Sequence, residues 1–196
     1  MTGKRVQIVA YDRDWPVHFE RLRGIYARAL GSPAIRIEHI GSTSVPGLAA
    51  KPILDIDIVI ENHECFDAVR DALVRLGYTY EGELGIPDRH AFYHRADSPH
   101  AIETMEHHLY VCPRHATSLD DHLVFRDYLR AHPETRSAYA LLKRRLAGEF
   151  PDDVQAYCEA KTEFIVATLR AARGETASAG RGPEGGTTDV SRPART

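Results

Sequence analysis

The chain has 196 residues, 43% of them hydrophobic and 27% charged, which is enough apolar side chain for one soluble domain with a sizeable core. Its 25 Lys and Arg against 28 Asp and Glu leave a formal charge of −3, which excludes a chain-wide cationic field of the kind that holds nucleic acid by its phosphates; no DNA partner is indicated. Three widely spaced cysteines, Cys65, Cys112 and Cys158, form no C-x-x-C pair and exclude a disulfide framework or a cysteine zinc site.

The cysteine usage fits a reducing compartment, and the cytoplasm is the expected location. No basic segment leads into a long apolar run at the N-terminus, and no stretch reaches 18 consecutive apolar residues. Neither signal-peptide secretion nor a membrane span is expected.

Taken in order, VQIVAY (6–11) reads as an opening strand, and Asp14 as the cap of a helix that begins at Trp15-Pro16 and runs to about Leu30. AIRIEHI (34–40) and ILDIDIVI (53–60) read as neighbouring strands joined by a Gly/Ser/Pro loop. From Asn62, the apolar positions Phe66, Val69, Leu73, Val74 and Leu76 recur at helical spacing until Gly77. YTYEGE (78–83) and HAFYHR (90–95) flank the turn residues of LGIPD as a hairpin, and ETMEHHLYVC (103–112) is a further strand stopped by Pro113.

The character then changes to helices over roughly 117–131, 134–148 and 152–172, the last opened by Asp152. From Gly174 the chain reads GETASAGRGPEGGTTDVSRPART, where Val190 is the only large apolar residue, so 173–196 is expected to be a disordered tail behind a 1–172 domain. No internal repeat is visible. The layout is α+β, a mixed sheet with flanking helices and a helical C-terminal half.

Side chains alternate along a strand, so Asp55 and Asp57 share a face with Ile53 and Val59, opposite Leu54, Ile56, Ile58 and Ile60. Residues two apart sit roughly 6.5–7 Å from each other along a strand, close enough for both carboxylates to converge on one divalent ion or on two adjacent ions. Two like charges so placed repel, and a hard cation relieves this best. Aspartate also has poor strand propensity, so its use twice in succession calls for a reason beyond solvation.

Gly41, Ser42, Thr43 and Ser44 precede that strand. A glycine lets backbone approach closely, and successive N–H groups with hydroxyls can bind phosphate oxygens. This is not a Walker loop, because no Lys-Ser/Thr follows Gly47.

The pairing of a Gly-Ser turn with D-h-D on the next strand, with twelve residues between Ser42 and Asp55, resembles the nucleotidyltransferase superfamily motif. More closely, RIEHIGSTSVPGLAAKPILDIDIVI is similar to the GrpB family of that superfamily, together with YDRDWPVHFE, the LGY and GIPDR segments, HHLYV, FRDYLRAHPETRSAYALLK and FPDDVQAYCEAKTEFI. The likeness covers about residues 6–170. It implies a nucleotidyltransferase-like fold. Members sometimes occur fused to dephospho-CoA kinase, which points to nucleotide or coenzyme metabolism.

Active members of the superfamily usually add a third carboxylate from a neighbouring strand, to complete the metal site or act as general base. Glu106, His108 and Tyr110 share one face of ETMEHHLYV, making Glu106 the candidate acid and His108 its substitute. The family typically carries H-L-H at this point, and Tyr110 departs from it. His107, His90 and His94 are explicable as hydrogen-bonded strand or hairpin residues in preference to a zinc site. Arg126 and Lys161, set among apolar helix positions, are candidate phosphate contacts, with Lys51 a weaker one; Lys143, Arg144 and Arg145 read as a solvated face.

The expected activity is transfer of a nucleotidyl group from an NTP to an acceptor, with Asp55 and Asp57 holding Mg²⁺ (or Mn²⁺, which suits the same oxygen ligands) and residues 41–44 gripping phosphates. The rival is a non-catalytic nucleotide-binding or regulatory module that keeps the cradle and lacks the third acid.

Overall fold

The computed structural model describes residues 5–94 and 105–179, with backbone alone for 175–179. Five strands, β1 (Ala34–Ile40), β2 (Leu54–Ile60), β3 (Tyr78–Gly82), β4 (His90–His94) and β5 (His107–Pro113), form one sheet in the order β1-β2-β5-β4-β3. β2 and β5 run parallel at its centre, and the other pairs are antiparallel. The parallel pair sets the site: Asp55 lies opposite His108 and Asp57 opposite Tyr110, while β1 brings Ile40 and Glu38 beside the same two aspartates.

One sheet face is covered by helices α1 (Trp15–Leu30) and α2 (Phe66–Arg75). Trp15, Phe19, Leu22 and Tyr26 recur at helical spacing on α1 and meet Leu54, Ile56, Ile58 and Ile60 of β2, all buried. Burial of each such side chain is worth roughly 1.5–3 kcal/mol, which is why the strand register, and with it the outward direction of Asp55 and Asp57, is strongly specified. His107 belongs to this side: Tyr26, Tyr78 and its Nε2 meet within 2.6–3.0 Å, and its Nδ1 donates to Met105 O at 2.8 Å.

The other face looks toward α3 (Thr117–Ala131), α4 (Pro133–Glu149), α5 (Val154–Glu159) and α6 (Thr162–Ala179). Helix α3 packs on β1, β5, α4 and α6.

Several local expectations are corrected. The stretch 6–11 makes a single bridge, Val9 to Ala50, in place of a strand, because Val6 N–H is already committed to Pro151 O. Asp14 makes no side-chain cap; Asp12 takes the Asp14 N–H at 2.9 Å, and Pro occupies the first turn. Asn62 caps a short 3-10 turn (His63–Cys65) that leads into α2. The long final helix is broken at Ala160-Lys161, with Asp153 in place of Asp152 capping α5 through Ala156 N–H. Helix α6 continues to Ala179, past the helix end expected at 172. The rest of the expected tail, and residues 95 and 103–104 of two expected strands, lie outside the described residues.

Candidate functional site

A cavity of about 620 Å³ lies between the sheet and the helical layer. Gly41, Ser42, Asp55 and Tyr110 line its sheet side, His122, Phe125, Tyr139 and Lys161 its helical side, and Ile86–Arg89 of the β3–β4 loop one wall. The volume is in the range of sites that enclose a small-molecule ligand.

The loop at 41–44 is held by its own hydroxyls. Gly41 adopts φ 67° and ψ −171°, a backbone state confined essentially to glycine. A Cβ there would lie 2.2 Å from Asp55 Oδ2, so the loop sits directly on the first aspartate. Ser44 Oγ donates to Gly41 O at 2.6 Å, and Thr43 Oγ1 pairs with His39 Nε2 at 3.0 Å. Burial lowers His39 to about 4, so that ring is neutral; it stacks on Phe19 at 4.7 Å. Gly41 and Ser42 therefore face the cavity, while Thr43 and Ser44 are buried and serve the loop itself.

Each aspartate is paired with a histidine. His108 Nδ1 meets Asp55 Oδ1 at 2.8 Å, and His122 Nδ1 from α3 meets Asp57 Oδ2 at 2.8 Å. For Asp55, burial alone would raise the carboxyl pKa, but the His108 hydrogen bond and charge, with His122 and Lys51, hold it below its ordinary value. Asp57 is 0% exposed, and burial outweighs His122 to raise it. Its Oδ1 is buried with no hydrogen-bond partner.

The carboxylate oxygens not taken by a histidine are Asp57 Oδ1, which is buried, without a partner and outside the lining of the cavity, and Asp55 Oδ2, beside the position that a Gly41 Cβ would fill; oxygen donors of this type are those a hard divalent cation prefers. The other oxygen of each carboxylate is taken by its histidine. Among the described residues the two aspartates do not belong to any group of three ligand atoms mutually within 4.8 Å.

Glu106 is exposed and stands one strand pleat before His108, with its carbonyl accepting from Leu54 N–H; it lines a second cavity of about 400 Å³ together with Lys51 and His108, and is absent from the lining of the first. The β5 positions facing the two aspartates are His108 and Tyr110, so the strand offers no carboxylate between them. Lys161 reaches the first cavity with its ammonium over the Tyr157 ring at 4.3 Å. Lys51 is 5.8 Å from the same ring on the side of the second cavity. Arg126 is engaged elsewhere: it donates to Glu38, Asp127 and His39 O, which ties α3 to the end of β1.

Lys143 is the clear correction among the cations. Read as part of a solvated face, it is 2% exposed, donates to Ser42 Oγ at 2.8 Å and lies 4.6 Å from the Tyr139 ring centroid. Burial lowers its pKa to about 7, with Lys161 adding repulsion. Pattern marks neither His122 nor Tyr139 nor the burial of Lys143, since each is an ordinary residue on an ordinary helix until α3 and α4 close over the sheet. A signal existed for His122 alone, which lies between Leu119 and Phe125 on the face that α3 turns to the cavity.

The family model described as GrpB protein matches residues 5–171. The chain belongs to the GrpB family. Its fold is similar to that of the conserved protein GrpB from Enterococcus faecalis, with a TM-score of 0.75 and 32% identity over 87% of this chain and 99% of that one. Among relatives, UPF0157 protein YqkA of Bacillus subtilis is 35% identical over 162 residues, 83% of this chain and 46% of YqkA. A protein named dephospho-CoA kinase from Mycolicibacterium paratuberculosis is 27% identical over 82% of this chain and 44% of its own length. This GrpB-family chain thus spans about half the length of both relatives. No described helix is long and apolar enough to cross a membrane.

Proposed function

We propose that this chain binds a nucleoside triphosphate in the 620 Å³ cavity and transfers its nucleotidyl group to an acceptor hydroxyl. The observation that carries the reading is the placement of Asp55 and Asp57 on one face of β2, with Asp57 Oδ1 unpartnered and Asp55 Oδ2 against the Gly41–Ser42 turn. Asp55 and Asp57 would hold a divalent ion there, Mg²⁺ or Mn²⁺ by the preference of carboxylate oxygens, and a bound ion supplies charge neutralisation at phosphoryl oxygens. Gly41 N–H and Ser42 Oγ orient the phosphates. Lys143 behind Ser42 and Lys161 at the rim add positive charge, and a phosphate beside Lys143 would draw a proton onto its half-neutral amine.

His108 supplies the base that Glu106 does not. With its Nδ1–H donated to Asp55, its Nε2 is the basic nitrogen, the arrangement in which a carboxylate orients an imidazole for proton abstraction. The ring also borders the second cavity, which gives the acceptor a separate approach.

A second reading, non-catalytic nucleotide binding, is favoured by one observation: the β5 positions beside the aspartates hold histidine and tyrosine where active superfamily members usually place a third acid. The relative named dephospho-CoA kinase adds coenzyme-A precursors to the ligands worth testing. A thermal-shift panel of NTPs and coenzyme-A precursors, with and without Mg²⁺, should show metal-dependent stabilisation that vanishes in Asp55→Asn. Equal shifts in both proteins would remove the metal-nucleotide reading. Metal-dependent binding without pyrophosphate release across a broad acceptor panel would establish the second reading over the first.

A further inference from the structure

At the end of the β3–β4 loop, three side chains from three separate segments converge. His63 lies on the 3-10 turn before α2, Asp88 at the end of the β3–β4 loop, and His115 in the turn between β5 and α3. Their ligand atoms, one per residue, lie within 4.8 Å of one another. His63 Nε2 is 3.2 Å from Asp88 Oδ1, and the His115 ring stands 5.8 Å from that of His63, centroid to centroid, at 71°. We propose that His63, Asp88 and His115 form a binding site for a zinc-class divalent transition metal, which staples the β3–β4 loop to the sheet. This site is separate from Asp55 and Asp57 and does not rest on the proposed activity.

Donor chemistry selects the ion. Two imidazole nitrogens and one carboxylate oxygen suit Zn²⁺ and its neighbours, whereas Mg²⁺ prefers oxygen ligands and retained water. A simple His–Asp ion pair needs one imidazole. The second ring brings another lone pair to the same point, and a single cation serves both nitrogens.

The backbone of each ligand is anchored. Asn62 accepts from Glu64 N–H beneath His63, Asp88 N–H donates to Glu83 Oε1 at 2.8 Å, and Ala116 N–H donates to Pro113 O across His115. The side chains retain freedom to close: His63 is 55% exposed and Asp88 34%. Zinc bonds of about 2.0–2.2 Å require ligand atoms roughly 3.3–3.5 Å apart, a contraction that rotation of exposed rings supplies.

The loop itself calls for such a tie. Leu84 (φ 51°) and Asp88 (φ 60°) are the non-glycine residues with positive φ among those described, and both lie in it. Backbone of this kind persists where surrounding contacts over-determine it. The same loop supplies Ile86, Pro87, Asp88 and Arg89 to the wall of the large cavity, so the ion would fix that wall in place.

The test uses untagged protein, stripped with EDTA and titrated with Zn²⁺ in excess Mg²⁺, with bound zinc and melting temperature both measured. One retained equivalent and a zinc-dependent rise in melting temperature are expected in wild type and in Asp55→Asn. His115→Ala should weaken zinc binding about tenfold or more and lose the rise, while melting like wild type in EDTA; His115→Cys, which restores a ligand, should recover both. Zinc should also slow proteolytic cleavage between residues 83 and 89. No retained zinc, equal retention in His115→Ala, or retention lost in Asp55→Asn while His115→Ala keeps it would each overturn the assignment.

Discussion

The close approach of Gly41 to Asp55 makes a quantitative prediction. Gly41→Ala places a methyl 2.2 Å from Asp55 Oδ2 and 2.8 Å from its Cγ, in a backbone state of φ 67° and ψ −171°. The backbone alone costs about 1–3 kcal/mol for a residue with a Cβ, and displacing a carboxylate held by His108 adds about 1–3 kcal/mol of overpacking. Gly47→Ala serves as the control: Gly47 also has a positive φ, 80°, but nothing lies within 4 Å of its Cβ position. That variant should lose only about 1–2 kcal/mol. In urea unfolding with an m-value of about 2 kcal/mol/M, Gly41→Ala should lower the midpoint by about 1–3 M and Gly47→Ala by less than about 1 M. Metal-dependent nucleotide stabilisation should be lost in Gly41→Ala and retained in Gly47→Ala. Equal midpoints for the two variants would refute the steric argument, and with it the claim that the loop rests on the first aspartate.

Lys143 sets a pH dependence whose sign is fixed by its lowered pKa. The folded state holds fewer protons than the unfolded state between about 7 and 10.5, so stability rises with pH across that window, and the penalty is fully present below it. Lys143→Met should therefore stabilise the protein most at pH 6, by up to about 5 kcal/mol at about 1.4 kcal/mol per unit, with the gain shrinking toward pH 10; a gain independent of pH would mean the amine titrates normally. His122→Ala leaves Asp57 buried with both oxygens unpaired and should cost about 3 kcal/mol or more. Calorimetric unfolding of the Asp57→Asn, His122→Ala and double variants should show strong coupling, and additive losses would remove the pair from the account. Tyr26→Phe removes one hydroxyl from the Tyr26–Tyr78–His107 cluster and should cost about 1 kcal/mol in chemical denaturation without altering ligand shifts. A change in nucleotide binding there would show that the two sheet faces communicate.

Much of the sheet was legible because its signals are local. Alternation along 53–60 places Asp55 and Asp57 together whatever the neighbours are, and the apolar residues at every second position leave one register available. The Gly-Ser turn was legible for the same reason. The stretch 6–11 has the same apolar look as a strand, yet whether it pairs depends on where Pro151 and Ala50 lie in space, and it makes one bridge. Glu106 and His108 share a strand face in the sequence, but the parallel register with β2 sets His108 against Asp55 and carries Glu106 past it to the second cavity. Lys143 sits in a Lys-Arg-Arg run that reads as solvated; Arg144 and Arg145 are exposed, and only the packing of α4 over the 41–44 loop buries their neighbour.

From the amino-acid order alone came the α+β layout, the shared face of the two acids and the Gly-Ser turn before them, since alternation, helical spacing and glycine act within a few residues. Tertiary packing decided the rest: which histidine faces which carboxylate, that Lys143 is buried against Ser42, and that His63, Asp88 and His115 meet. Those pairings join positions some 25 to 100 residues apart, and a contact of that kind is set by how helices and strands stack, which no local periodicity encodes.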